Sequence, residues 1–143
     1  MPKPRGLGFW MRVYVYSDHA GDSLTCRSRT GFCVFLNMAP IYWCSKKQAS
    51  CETSTFGSEF LAMKHAMEYV SGLHYKLCMF GIPCDEPTYV YGDNKSVLAN
   101  TSVPSLMLKK KSNSLAYHLC RKVVRKMNGV LHISIRIVTQ LFF

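Results

Sequence analysis

The sequence predicts an α/β fold: a mixed five-stranded sheet, three antiparallel strands followed by parallel additions, with helices packed on it. Two observations lead there. Strand-like runs separated by turn residues come first and are followed by one long stretch of helical apolar spacing; two further strand-like runs then alternate with helical spacing. With 143 residues the chain can bury a real core and has little room for a second domain, so residues 11–143 are expected to form one unit.

Residues 1–10, MPKPRGLGFW, combine prolines, glycines and cations and predict a linker. The β-branched and aromatic residues of 11–16 predict the first strand, with the polar turn 17–22 after it. Residues 29–36 predict a second strand, 37–40 a turn and 41–45 a third strand, an antiparallel meander. Ser54 and Thr55 offer a helix N-cap, and Phe60, Leu61, Met63, Met67, Val70, Leu73, Leu77 and Phe80 recur at helical spacing until Gly81 and Pro83. Residues 88–91 predict a strand ending in Gly92-Asp93-Asn94, and 95–100 a short helix closed by Pro104. Residues 112–127 have helical spacing with a basic face, and 130–137 alternate as a strand does. No internal repeat stands out.

Hydrophobic residues make up 48% of the chain and aromatics 13%, a globular composition that excludes disorder along most of its length. Lys and Arg total 18 against 8 acidic residues, a formal charge of +10, and polyanions are the natural partners of such an excess; a solvated basic face is the plain alternative. The seven cysteines include no C-x-x-C pair and no zinc-like cluster, and no apolar stretch resembles a signal peptide or a membrane span. Free, mostly buried thiols in an intracellular protein, with no membrane contact, are therefore expected. The histidines show no ligand spacing, Tyr42 and Trp43 are expected in the core, and neither a nucleophile elbow nor a phosphate-binding glycine loop is present, so no small-molecule ligand is expected.

Three acids stand out by placement: Asp18 after the first strand, Glu59 in the first turns of the long helix and Asp93 after the fourth strand. Neighbouring strand ends and a helix packed on them can bring such groups together, and clustered carboxylates suit Mg²⁺ and phosphodiester hydrolysis. Each acid also has a plain structural role available. Asp18 and Asp93 suit turns, and Glu59 is favoured by the helix dipole alone.

The strings SDHAGD (17–22), RSRTGF (27–32), PIYWCSKKQ (40–48), STFGSEF (54–60), YGDNKSVLAN (91–100) and LKKKSNSLAYH (108–118) occur in an order that resembles the ribonuclease H domain of copia-type retrotransposon polyproteins. The resemblance covers residues 11–122. It implies an RNase H-like fold, an upstream reverse transcriptase, two Mg²⁺ ions and cleavage of the RNA strand of an RNA–DNA hybrid. By the same resemblance Glu59 and Asp93 match family acids, whereas the first-strand aspartate is replaced by Tyr16. Asp18, two residues on, is the candidate substitute. A phenol is neutral near pH 7 and cannot offset the charge of two Mg²⁺ ions as a carboxylate does.

The family's C-terminal acid is absent, since no acidic residue follows Asp93. Residues 127–136 are compatible with codons that, read one base earlier, give Asp-Glu-Trp and continue as the family does, which implies a frameshift between His118 and Met127 and a shifted tail after about residue 122. Lys109, Lys110 and Lys111, with Asn94, are the candidate nucleic-acid contacts; Arg121, Lys122, Arg125 and Lys126 extend the basic run. The resulting expectation is a degenerate RNase H-like domain with impaired hydrolysis. The alternatives are a non-catalytic basic module that binds nucleic acid and an unselected pseudogene product.

Overall fold

The computed structural model describes residues 8–82, 86–94, 97 and 118–122, together with the backbone of residues 135–139. Strand β1 (Met11–Ser17) pairs antiparallel with β2 (Arg29–Leu36), and β2 pairs antiparallel with β3 (Ala39–Lys47). Helix α1 (Thr55–Met79) then crosses to β4 (Thr88–Gly92), which lies parallel to β1, and β5 (Ile135–Thr139) lies parallel to β4. The sheet order is β3-β2-β1-β4-β5, the mixed five-stranded arrangement expected from the element order.

Local chemistry explains each boundary. Asn37 adopts φ 55°, a left-handed conformation that Asn tolerates, so the β2–β3 turn needs only two residues. Ala39 and Pro40 therefore belong to β3, not to the longer turn expected at 37–40. Pro40 is accommodated because β3 is the sheet edge, where a missing N–H donor costs little. Ser54 caps α1 by accepting the Gly57 N–H at 3.3 Å, and Gly81 at φ 72° terminates it beyond the C-cap Phe80. At the end of the expected linker, Trp10 donates its N–H to the Asn37 side-chain oxygen at 3.2 Å and accepts the Asn37 N–H at 2.8 Å, and the Arg12 guanidinium lies 4.3 Å over the Trp10 ring.

The core lies between α1 and one face of the sheet. Met11, Val13 and Val15 alternate inward on β1 and meet Phe32 and Val34 of β2, Val90 of β4, and Phe60, Met63, Ala66, Met67 and Val70 of α1. Burying each of the larger side chains is worth about 1.5–3 kcal/mol. The opposite face carries Tyr14 stacked on Tyr91 at 4.9 Å and edge-on to Phe35. Trp43 sits on that face at the edge strand and is 73% exposed, so it is not the core residue expected from its composition. Tyr42 points the other way and stacks on Tyr69 at 4.0 Å.

The described cysteines are free thiols, but the expectation that most are buried fails. Cys26 and Cys51 lie on exposed connections, and among the described residues only Cys120 is buried. Val97 and residues 118–122 are helical, in line with the two later helices. The strand expected over 130–137 overlaps β5 at 135–137; residues 130–134 lie outside the described residues, as do 1–7 of the linker, Pro104 and 123–127 of the segment inferred to carry the frameshift. No described helix is long and apolar enough to cross a membrane.

Candidate active site

Two of the expected acids meet at the end of the sheet where β1 and β4 finish. Glu59 lies early in α1, which packs on the core face, and it is only 8% exposed. Its Oε1 accepts the Ser17 N–H at 3.1 Å, which fixes the carboxylate against the last residue of β1. Burial, and then the nearby charge of Asp93, push the Glu59 carboxyl up to about 7, while the Ser17 bond pulls the other way. Asp93 follows Gly92 at the end of β4, and its Oδ1 is buried without a hydrogen-bond partner.

Tyr16 stands where the first-strand acid was expected. The parallel register of β1 and β4 ends with Tyr14 paired to Tyr91, and Tyr16 lies near the end of β1, on the side of the strand away from the core. Its side chain is 56% exposed. Asp18 takes another path. Its Oδ1 accepts the Arg29 N–H, and a Cβ on Gly21 would collide with its Oδ2, so the carboxylate is packed into the β1–β2 connection. Among the described residues no group of three or more His, Cys, Asp or Glu could hold a metal ion. The set Glu59, Asp93 and Asp18 thus resolves into a pair, Glu59 with Asp93, and a third acid bound elsewhere.

Asn94 accepts the Val97 N–H through Oδ1 at 3.2 Å, which makes it a cap for the helical turn after the site. Lys109, Lys110 and Lys111 lie outside the described residues. Sequence reasoning did not single out Gln48, which is 2% exposed and joins β1, β2 and α1 around the site. Its Nε2 reaches Ser17 Oγ at 3.3 Å, Thr30 Oγ1 at 3.0 Å and the Ser58 carbonyl at 2.9 Å, and its N–H donates to the Ser28 carbonyl at 2.8 Å. The available signal was its place at the end of PIYWCSKKQ, a polar residue closing a strand just before a helix.

The pair has the donor chemistry for a hard divalent cation. The Asp93 carboxylate has a buried oxygen without a donor among the described residues, and the Glu59 carboxyl is raised by burial and then by the charge of Asp93, both of which a bound cation would relieve. Two carboxylates match one such ion; a second would need further anionic oxygens, and Tyr16 supplies only a phenol.

No family model matches the chain. It is 28% identical over 131 residues to the retrovirus-related Pol polyprotein from transposon RE2 of Arabidopsis thaliana and 27% identical to that from transposon RE1. Each match covers 91% of this chain and 9% of the polyprotein, so the chain spans about a tenth of the length of these relatives. Among solved structures, LC11-RNase H1 in complex with an RNA/DNA hybrid superposes with a TM-score of 0.64 at 13% identity, covering 91% of this chain and 86% of that one. RNase H1 of the archaeon Halobacterium salinarum gives 0.59 at 12% identity, covering 92% and 86%. The chain is thus similar in sequence to retrotransposon Pol polyproteins and has an RNase H-like fold.

Proposed function

We propose that the chain is a copia-type RNase H-like domain that binds RNA–DNA hybrids, descended from an Mg²⁺-dependent hybrid nuclease and itself hydrolytically impaired. The observation that carries this reading is the convergence of Glu59 and Asp93 at the ends of β1 and β4, with Tyr16 in β1 where the resemblance expects a third acid. The hybrid bound by a solved structure of the same fold and the +10 charge support nucleic acid as the partner. An upstream reverse transcriptase in the same polyprotein is the expected context, supported by the Pol relatives.

Glu59 and Asp93 would hold the metal. Bound there, a divalent cation would polarise the scissile phosphate and activate a water. The Ser17 N–H holds the Glu59 carboxylate in place, and Gln48 locks the end of β1 to α1, so the pair is positioned without help from Tyr16. Tyr16 supplies a phenol where the resemblance expects a carboxylate, and a phenol is a poorer ligand than a carboxylate for a hard divalent cation. Loss of a single stabilising group costs other enzymes roughly 10²–10³ in rate, and removal of a metal-binding acid belongs at or beyond the upper end of that range.

The test is an end-labelled RNA–DNA hybrid incubated with the chain in Mg²⁺. The expected result is salt-sensitive binding with the RNA strand left intact. Mg²⁺-dependent cleavage that disappears in Glu59→Ala would overturn the impairment, and absence of binding at low salt would overturn the partner.

A further inference from the structure

A second feature opens beside the acid pair. The step from Ser17 to Asp18 divides the two: the Ser17 N–H faces Glu59, while the next residue lines a concavity of about 350 Å³ formed with Gly21, Asp22, Arg27, Arg29 and Lys47. Three cations thus share one wall system with two carboxylates. Arg29 and Lys47 are direct cross-strand partners in the β2–β3 register, a like-charge pairing that is unfavourable unless something offsets it.

The carboxylates are already engaged. Asp22 binds Lys47, the Thr25 hydroxyl and the Leu24 N–H, and Asp18 binds the Arg29 backbone N–H. Among the described residues the ion pairs are Lys47 with Asp22 and Lys64 with Glu68, so the exposed guanidiniums of Arg27 and Arg29 keep their charge for something else. Guanidinium groups suit the planar, two-point recognition of phosphate oxygens.

We propose that this concavity seats a backbone phosphate of the bound nucleic acid, gripped by Arg27 and Arg29, so that the strand runs past the Glu59–Asp93 pair. The proposal rests on the hybrid-binding reading above and adds where the strand is held. Lys47 is a lesser contributor, because Asp22 already takes its charge.

The experiment is hybrid binding by fluorescence anisotropy across a salt series, with the full chain. Arg27→Ala/Arg29→Ala is compared with Lys64→Ala/Lys76→Ala, which removes equal charge from α1. The concavity variant should lose at least about tenfold in affinity at low salt, with a log–log salt slope shallower by about 2, and the helix variant should stay within about twofold of wild type. Arg29→Lys should keep the slope and lose affinity severalfold, since charge remains and the fork is gone. If wild type binds and the two double variants weaken equally, the site is overturned while hybrid binding stands. If wild type itself does not bind, both fall.

Discussion

The Glu59 carboxylate accepts the Ser17 N–H at 3.1 Å, which ties the start of α1 to the last residue of β1. Glu59→Ala would leave a buried N–H without an acceptor at a cost of about 1–3 kcal/mol, read as a lower urea midpoint. Glu59→Gln keeps an acceptor oxygen and removes the charge that burial and Asp93 disfavour. At pH 8, where Glu59 is mostly ionised, the Gln variant should be at least as stable as wild type.

His74 sets a second limit on stability, at acid pH. It is 1% exposed, its Nε2 lies 2.6 Å from Thr88 Oγ1, and burial lowers its pKa to about 4. The unfolded chain takes up this proton near pH 6.5 and the folded chain only near 4, so stability is intact above about 6.5 and falls as the pH drops through that window. The loss is at most about 3 kcal/mol. Glu59 acts in the opposite sense, since its raised pKa makes the fold less stable as pH rises from 4.5 to about 7. Subtracting urea unfolding curves of His74→Gln from those of wild type between pH 4 and 7 isolates the histidine contribution; equal pH slopes would contradict it.

Tyr16→Asp should return a carboxylate to the position in β1 where the resemblance expects one. Without divalent ions the variant should melt below wild type, because a third anion joins an already strained pair. Millimolar Mg²⁺ should then raise its midpoint by more than it raises that of wild type, with an affinity gain of about tenfold or more by calorimetry. Equal Mg²⁺ affinities would show that Tyr16 is not at the ion.

Thiol chemistry should follow exposure. Cys26 and Cys51 lie on the surface, whereas burial pushes the Cys120 thiol up to about 12. Timed alkylation of the native chain, read by peptide mass spectrometry, should label Cys26 and Cys51 first and Cys120 last.

Much of this was legible in the residues. Alternation on β1, the Ser54 cap and the apolar spacing of α1 report local geometry and burial, so the strand order up to β4 could be anticipated. Glu59 and Asp93 could be paired because they sit at element ends, whereas Asp18 could not be placed. Whether its carboxylate turns toward the acids or toward the Arg29 N–H depends on the path of the β1–β2 connection and the space that Gly21 leaves. The exposure of Trp43 is not legible in the residues, because a strand-like run does not reveal that β3 lies at the sheet edge. Gln48 was overlooked because its role lies entirely in long-range hydrogen bonds.

The most direct measurement is anomalous diffraction from crystals of the chain soaked in Mn²⁺, which reports where a divalent ion sits. One peak shared by the Glu59 and Asp93 carboxylates, with none at Asp18, is the predicted result. Two ions side by side, or an ion on Asp18 with the Glu59–Asp93 pair empty, would contradict it.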